Sequence, residues 1–113
     1  MESKNRDLLG QLTPANTTAA SIFSPDKRDL FTIESIVICN TTGSAATYRL
    51  FLDKDGSTYS TATALAYDVS LPANSTTIFE VNMYMRDPAG NLAVRTGTAD
   101  ALTFTVFGDN GSV

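Results

Sequence analysis

The fold class is decided by the stretch Phe31-Thr-Ile-Glu-Ser-Ile-Val-Ile-Cys-Asn40, Thr41-Thr-Gly-Ser44 and Ala45-Ala-Thr-Tyr-Arg-Leu-Phe-Leu-Asp53. Its first and third parts are rich in β-branched and aromatic residues, and apolar and polar positions alternate along much of each, which is typical of strands. The middle part consists of turn-forming residues. We therefore predict two strands, Phe31–Asn40 and Ala45–Asp53, joined as a hairpin.

The second half of the first strand, Ile36–Cys39, is apolar at every position. Such a segment is expected to be buried on both faces, between its own core and a second sheet or another subunit. Cys39 is the single cysteine of the chain, so it has no partner for an internal disulfide. A free cysteine on an apolar strand usually packs as a small hydrophobe, and we expect Cys39 in the core.

The other readable segments are short strands as well. Alternation is clear in Leu65–Leu71 and in Thr76–Met85, where the odd-numbered side chains are expected to face the core. Leu92–Thr96 and Ala101–Phe107 form a final predicted hairpin, and Ser57–Thr63 is predicted to be a weakly ordered loop. Seven to eight short strands without a helical period predict an all-β, single-domain antiparallel β-sandwich of the jelly-roll or Greek-key type.

The tyrosines divide between core and surface in this prediction. Tyr48 and Tyr67 fall on faces that are expected to point inward, with their hydroxyl groups reaching the rim. Tyr84 is expected to point outward.

The first twelve residues differ in pattern from the rest of the 113-residue chain. We divide the chain into an N-terminal arm, residues 1–12, and a β-sandwich domain, residues 13–113. The arm carries Leu8, Leu9 and Leu12, and an apolar patch on an extended arm pairs with a strand edge, either of its own domain or of a neighbour. We favour a contact with a neighbouring subunit.

A second candidate for a partner interface is Met83-Tyr84-Met85-Arg86, since Tyr, Met and Arg are enriched in protein–protein contacts. An ordinary strand end is the alternative interpretation. The candidate interface residues are Leu8, Leu9, Leu12, Met83, Tyr84, Met85 and Arg86.

Composition argues against several classes of function. The net charge is −4, and the longest basic run is Lys27-Arg28, so the chain lacks the basic stripe that neutralises phosphates in nucleic-acid binders. No apolar run approaches the roughly 18 residues of a membrane span, and the N-terminus does not resemble a signal peptide. We expect neither nucleic acid nor membrane as a partner.

We predict no catalytic residue, cofactor or metal. The chain has no histidine, and most of its carboxylates fall in predicted turns. Asp53-Lys-Asp-Gly56 looks like the start of a calcium loop, but the later ligands of such a loop are missing, so a turn is the preferred interpretation. A non-enzymatic protein is therefore expected.

The segment Phe31–Tyr48, with its apolar-Cys-Asn-Thr-Thr-Gly centre, resembles the central hairpin of small structural proteins from tailed bacteriophages. Ala101–Gly108 is similar to the closing strand of the same proteins, and the resemblance covers most of residues 30–108. It implies a virion component built on a jelly-roll-like domain that is often trimeric, and in particular a capsid decoration (cement) protein.

That resemblance also implies where the protein works and with what. The expected partners are further copies of the chain, as a homotrimer, and the major capsid protein or other virion proteins. The expected location is the capsid exterior, after synthesis in the host cytoplasm. A head–tail or tail accessory protein is the alternative within this class, and a carbohydrate- or receptor-binding β-sandwich module is the alternative outside it.

Overall fold

The computed structural model describes residues 4–26, 28 and 30–112 of the chain. They form eight strands and a single 3₁₀ turn, Thr61–Thr63. The strands are β1 (Lys4–Leu12), β2 (Ala20–Phe23), β3 (Phe31–Asn40), β4 (Ala46–Asp53), β5 (Ala64–Leu71), β6 (Thr76–Met85), β7 (Asn91–Thr96) and β8 (Leu102–Ser112). Within the described ranges no helix is long and apolar enough to cross a membrane.

The strands make two antiparallel four-stranded sheets. Sheet A has the order β1-β8-β3-β6, and sheet B has the order β2-β7-β4-β5. Only β4 and β5 follow each other within one sheet, while every other connection passes from one sheet to the other. This strand order is that of an eight-stranded jelly roll. The prediction of an all-β antiparallel sandwich is confirmed.

The two predicted hairpins are wrong. β3 lies in sheet A and β4 in sheet B, and β7 and β8 are divided between the sheets in the same way. The apolar faces of consecutive strands therefore oppose each other across the core instead of lying side by side. Alternation indicates which face of a strand is buried. It does not indicate whether the next strand lies beside it in the same sheet or opposite it in the facing sheet, because both arrangements bury the same face.

Asn40 directs the chain from sheet A to sheet B at the end of β3. Its buried side chain donates from Nδ2 to the carbonyl oxygens of Ser44 (2.8 Å), Leu71 (3.2 Å) and Pro72 (3.2 Å). Its Oδ1 accepts from the backbone N–H of Thr42 at 3.0 Å and from the Thr42 hydroxyl at 2.8 Å. One amide thus joins the β3–β4 connection to the β5–β6 connection.

The core lies between the inner faces of the two sheets. Its fully buried apolar side chains come from both: Ile33, Ile36, Ile38, Phe104 and Val106 from sheet A, and Leu50, Leu92 and Val94 from sheet B. In β6 the odd-numbered side chains face this core and the even-numbered ones are exposed, as predicted.

Cys39 is half-buried on the outer face of sheet A, so its predicted place in the core is wrong. The register of β3 breaks between Ile33 and Ser35 against both neighbouring strands. Phe31 and Ile33 are buried before the break, and Ile36 and Ile38 after it, so the inside–outside alternation changes phase. A bulge of this kind reverses the faces of all following residues.

The segment predicted as an N-terminal arm contributes β1 to sheet A from Lys4 onward, while residues 1–3 lie outside the described residues. β1 pairs with β8 along its length, and Leu9 and Leu12 pack against the core. Gly10 lies so close to the backbone carbonyl of Ile22 in β2 that a side chain would not fit. The strand edge of its own domain therefore accommodates this segment.

Tyr67 is exposed, and so are Leu65 and Val69, contrary to the prediction that these residues face inward, whereas Leu71 and Tyr48 are buried as predicted. Asp68, the residue after Tyr67, has a φ of 54°, and this left-handed conformation interrupts the alternation of β5. Tyr67 instead packs edge-on against Phe51, and Tyr59 covers the same ring from the loop. The loop predicted to be weakly ordered thus buries an aromatic residue on the outer side of sheet B.

Candidate interaction surface

The outer face of sheet A is uncovered within the described part of the chain and is formed by alternate residues of four strands. The β-ladder places these residues in rows that cross the sheet from β1 to β6. The two central rows are Leu8, Phe107, Ser35 and Glu80, and then Gln11, Thr105, Val37 and Ile78.

Large apolar side chains are exposed on this face, as Leu65, Tyr67 and Val69 are on β5 of sheet B. Leu8 is 46% exposed, Phe107 40%, Ile78 57% and Tyr84 61%, and these four are the exposed large hydrophobic residues of sheet A in the described ranges. Val37 lies half-buried beside Ile78, and Cys39 lies half-buried in the next row, between Thr76 and Thr103. Leu8 and Phe107 are cross-strand neighbours, as are Val37 and Ile78, so both central rows carry exposed apolar side chains, which is more typical of an interaction site than of an ordinary surface.

Two pairs of polar side chains on the β1–β8 half of the outer face bind each other. Gln11 Nε2 donates to Thr105 Oγ1 at 2.9 Å, and the hydroxyls of Thr13 and Thr103 are 2.8 Å apart. Groups that already have a hydrogen-bond partner are less costly to remove from water than charged or unpaired ones. The β1–β8 half of the face can therefore be covered by another protein at a small polar desolvation cost, whereas Glu80 on β6 would need a partner or a place at the rim of the contact.

The seven candidate interface residues divide between this face and the core. Leu8 and Tyr84 lie on the outer face, and Arg86 is exposed just beyond the end of β6. The other four point inward: Leu9, Leu12 and Met83 pack against the core, and Met85 is only 2% exposed. Ile78 and Phe107 were not among the predicted interface residues. The alternation of their strands places both side chains on the outward face, and this pattern could have identified them.

Sheet B presents a different outer surface, on which charged side chains bind one another and the backbone of the same chain. Arg49 binds Asp68 through two hydrogen bonds of 2.6 and 3.0 Å, and its guanidinium lies 3.8 Å from the centre of the Tyr67 ring. The bond from Arg49 lowers the pKa of Asp68, and the same bond raises the pKa of Arg49. Arg95 donates to the carbonyl of Thr17 at 2.7 Å. This cluster braces β4, β5 and β7.

The Asp53-Lys-Asp-Gly56 segment forms a turn closed by a carboxylate. Asp53 Oδ2 accepts from the backbone N–H of Thr58 at 2.9 Å and Oδ1 from that of Asp55 at 3.3 Å. The bond from Thr58 is the main reason why the pKa of Asp53 is lowered. Among the described residues no group of three or more possible metal ligands occurs.

Two open clefts lie at the end of the sandwich near Phe31. The larger, of about 420 Å³, is lined by Leu8, Leu9, Ile22 and Phe23 with Asp7 and Asp26 at its rim. The smaller, of about 240 Å³, is lined by residues of mixed charge: Arg28, Lys54, Asp55, Arg86 and Asp87, with Tyr84 and Met85.

Comparisons with known proteins give few relatives. No model of a known protein family matches the chain, and no curated protein matches it significantly. Among solved structures, one match is described as "Structure of infectious bursal disease virus Gx strain", with a TM-score of 0.47 and 12% identity over 99% of this chain. The alignment covers 32% of that chain, so this protein spans about a third of its length. The jelly-roll assignment rests on the strand order.

Proposed function

We propose that this chain is a non-enzymatic structural protein of a virus particle, and specifically a capsid decoration protein of a tailed bacteriophage. Three features support the proposal. The strand order is that of a jelly roll, an architecture used in viral capsid domains. The segments Phe31–Tyr48 and Ala101–Gly108 resemble phage structural proteins. Sheet A exposes large apolar side chains on its outer face.

The exposed face of sheet A is the observation that carries the proposal. Phe107 and Val37 lie at its centre, on the two inner strands, and Leu8 and Ile78 lie on the flanking strands. A rigid two-sheet sandwich holds these side chains in fixed positions, so little conformational entropy is lost when they are covered. We assign this face to the contact with the major capsid protein on the capsid exterior.

The mechanism is mechanical. Each copy would cover part of the joint between neighbouring capsid subunits and would resist their separation through buried apolar area. Because a shell presents many equivalent sites, and because copies that also bind one another gain avidity, each single contact can be modest. No bond is made or broken in this role.

The proposal is tested by locating the protein in particles purified from its source. We expect quantitative mass spectrometry to find it at a fixed ratio to the major capsid protein, and immunogold labelling to mark the outside of the head. Labelling confined to the tail would favour the accessory-protein alternative. Absence from particles, together with selective binding on a glycan array, would replace the proposal by the carbohydrate-binding alternative.

A substitution in the centre of the face tests the docking surface itself. Phe107→Lys should reduce attachment to undecorated particles roughly tenfold or more, because a charge replaces an apolar contact on the inner strand β8. Leu65→Lys on β5 of sheet B is the matched control and should attach as the unaltered protein does. Equal attachment of both variants would remove sheet A from the contact.

A further inference from the structure

The strand β6 forms an edge of sheet A that lacks most of the features with which proteins prevent edge-to-edge pairing. Natural edge strands are short, bulged, or carry lysine or proline. β6 is ten residues long, contains neither lysine nor proline, and has Glu80 as its single charged residue. The ladder between β3 and β6 has one irregularity, where three steps of β6 from Met83 to Glu80 face two steps of β3, but the inside–outside alternation of β6 continues through it.

The other three edges are protected. β2 has four residues, β1 has register shifts at Lys4–Arg6 and Leu8–Gly10, and β5 is interrupted by two register shifts and by the left-handed Asp68. β6 therefore stands out among the four edges of this sandwich as the one that can accept a further strand.

The side chains of β6 indicate that the added strand is apolar on the outer face. Ile78 and Tyr84 are the two most exposed large hydrophobic residues of the described chain, at 57% and 61%. Cross-strand pairs between an aromatic and a β-branched residue stabilise antiparallel sheets. A partner strand should therefore present such residues at the matching spacing, which β6 itself does.

We propose that β6 pairs antiparallel with β6 of a second copy of this chain about a two-fold axis at Val81, so that sheet A continues across both protomers. In this register each residue lies opposite the residue that is equally far from Val81 on its other side in the sequence. It pairs Ile78 with Tyr84, Phe79 with Met83, and Thr77 with Met85, and each pair occurs twice.

The alternative registers are less favourable. An axis at Glu80 sets two carboxylates directly opposite each other, which destabilises a pair of strands. An axis at Asn82 or Met83 shortens the overlap within Thr76–Met85. The Val81 register keeps nine of the ten strand residues paired and opposes Glu80 to Asn82.

The dimer is independent of the virion role, and it differs from the trimer that the family resemblance implies. An isologous pair of strands closes with two copies, whereas a trimer requires two different surfaces on each copy. A dimeric protein absent from particles would refute the proposed function alone, and a decorating protein that is not a β6 dimer would refute this inference alone.

Light scattering with size-exclusion chromatography of the full chain tests the inference first. We expect a species of twice the 12.1 kDa mass of the chain. Ile78→Lys and Tyr84→Lys should each raise the dimer dissociation constant on the order of tenfold or more. Leu65→Lys, an exposed apolar residue on sheet B, should not change it. Circular dichroism verifies that each variant remains folded.

Paired cysteines test the register. In a Cys39→Ser background, the double variant Ile78→Cys/Tyr84→Cys should form an intermolecular disulfide on mild oxidation, because these positions are opposite each other in the Val81 register. Either single variant should not, because two copies of the same position are six residues apart along the strands. A monomer or trimer in light scattering, a dimer insensitive to both lysines, or cross-linking of the single variants would overturn the inference.

Discussion

Asn40 shows how one residue can fix the course of the chain. It is buried at a corner between the sheets, and its amide satisfies groups from two separate connections. An amide provides both the donors and the acceptor that this position requires. The Cys39-Asn40-Thr-Thr-Gly sequence that looks like a family signature therefore has a structural meaning in this chain.

Asn40→Ala should lower the free energy of unfolding by about 2–4 kcal/mol, since it leaves buried carbonyl groups without a donor. Urea denaturation measures this change. Asn16→Ala is the matched control, because Asn16 makes the same kind of bond to the N–H of Thr18 but is exposed, and it should have little effect. Equal losses in both variants would contradict the role of Asn40.

Asp68 and Asp53 give the fold a dependence on pH. Arg49 lowers the pKa of Asp68, and the N–H of Thr58 lowers that of Asp53. A carboxyl group whose pKa is lower in the folded state stabilises the fold above its unfolded pKa, about 3.9 for aspartate, and this contribution is lost as the pH falls through the lowered folded value.

We therefore expect the contribution of these two carboxylates to the free energy of unfolding to change little between pH 7 and pH 5 and to decline below about pH 4. Urea denaturation of the unaltered chain, Asp53→Asn and Asp68→Asn at several pH values measures the effect, and each substitution should flatten the decline. High salt should weaken the Asp68 contribution more, because an exposed ion pair is screened. Identical profiles for all three proteins would refute this assignment.

At the scale of elements, much of the architecture follows from period-two alternation. The faces of β6 and the class of the fold were predictable, because a strand with one buried face needs that pattern. The strand partners were not, since β3 and β4 satisfy the same pattern in separate sheets. The faces of Cys39 and Tyr67 were missed because a register break and the left-handed Asp68 change the phase.

The candidate surface was predictable to a similar degree. Leu8 and Tyr84 are exposed on sheet A, as an interface residue must be, and both were selected by residue type. Met85 was selected by type as well but is buried, because strand phase overrides the preference of methionine for interfaces. Whether these residues contact a partner depends on the assembly.

The strand β1 should be required for stability. Deleting residues 1–12 removes the partner of β8 and the core contacts of Leu9 and Leu12. We expect a loss of roughly 3 kcal/mol or more, because burying one leucine side chain contributes about 1.5–3 kcal/mol. Leu9→Ala and Leu12→Ala should each destabilise the protein in urea, whereas exposed Leu8→Ala should not. An unchanged unfolding midpoint in the truncated chain would show that β1 is dispensable.

The whole molecule has two unlike sides. The outer side of sheet B carries the Arg49–Asp68 bonds and the packing of Tyr59 and Tyr67 on Phe51, and β5 also exposes Leu65 and Val69. The outer side of sheet A carries unpaired apolar side chains and an open edge at β6. This asymmetry fits a part that attaches to an assembly through one face and remains in solvent on the other.

Cryo-electron microscopy of the intact particle from the source of this chain tests the central claim most directly. The account predicts density for the sandwich on the outside of the capsid, with Phe107 and Val37 of sheet A against the shell and the Arg49–Asp68 side of sheet B in solvent. A shell without this density, or one that binds the sandwich with the outer face of sheet A in solvent, would contradict it.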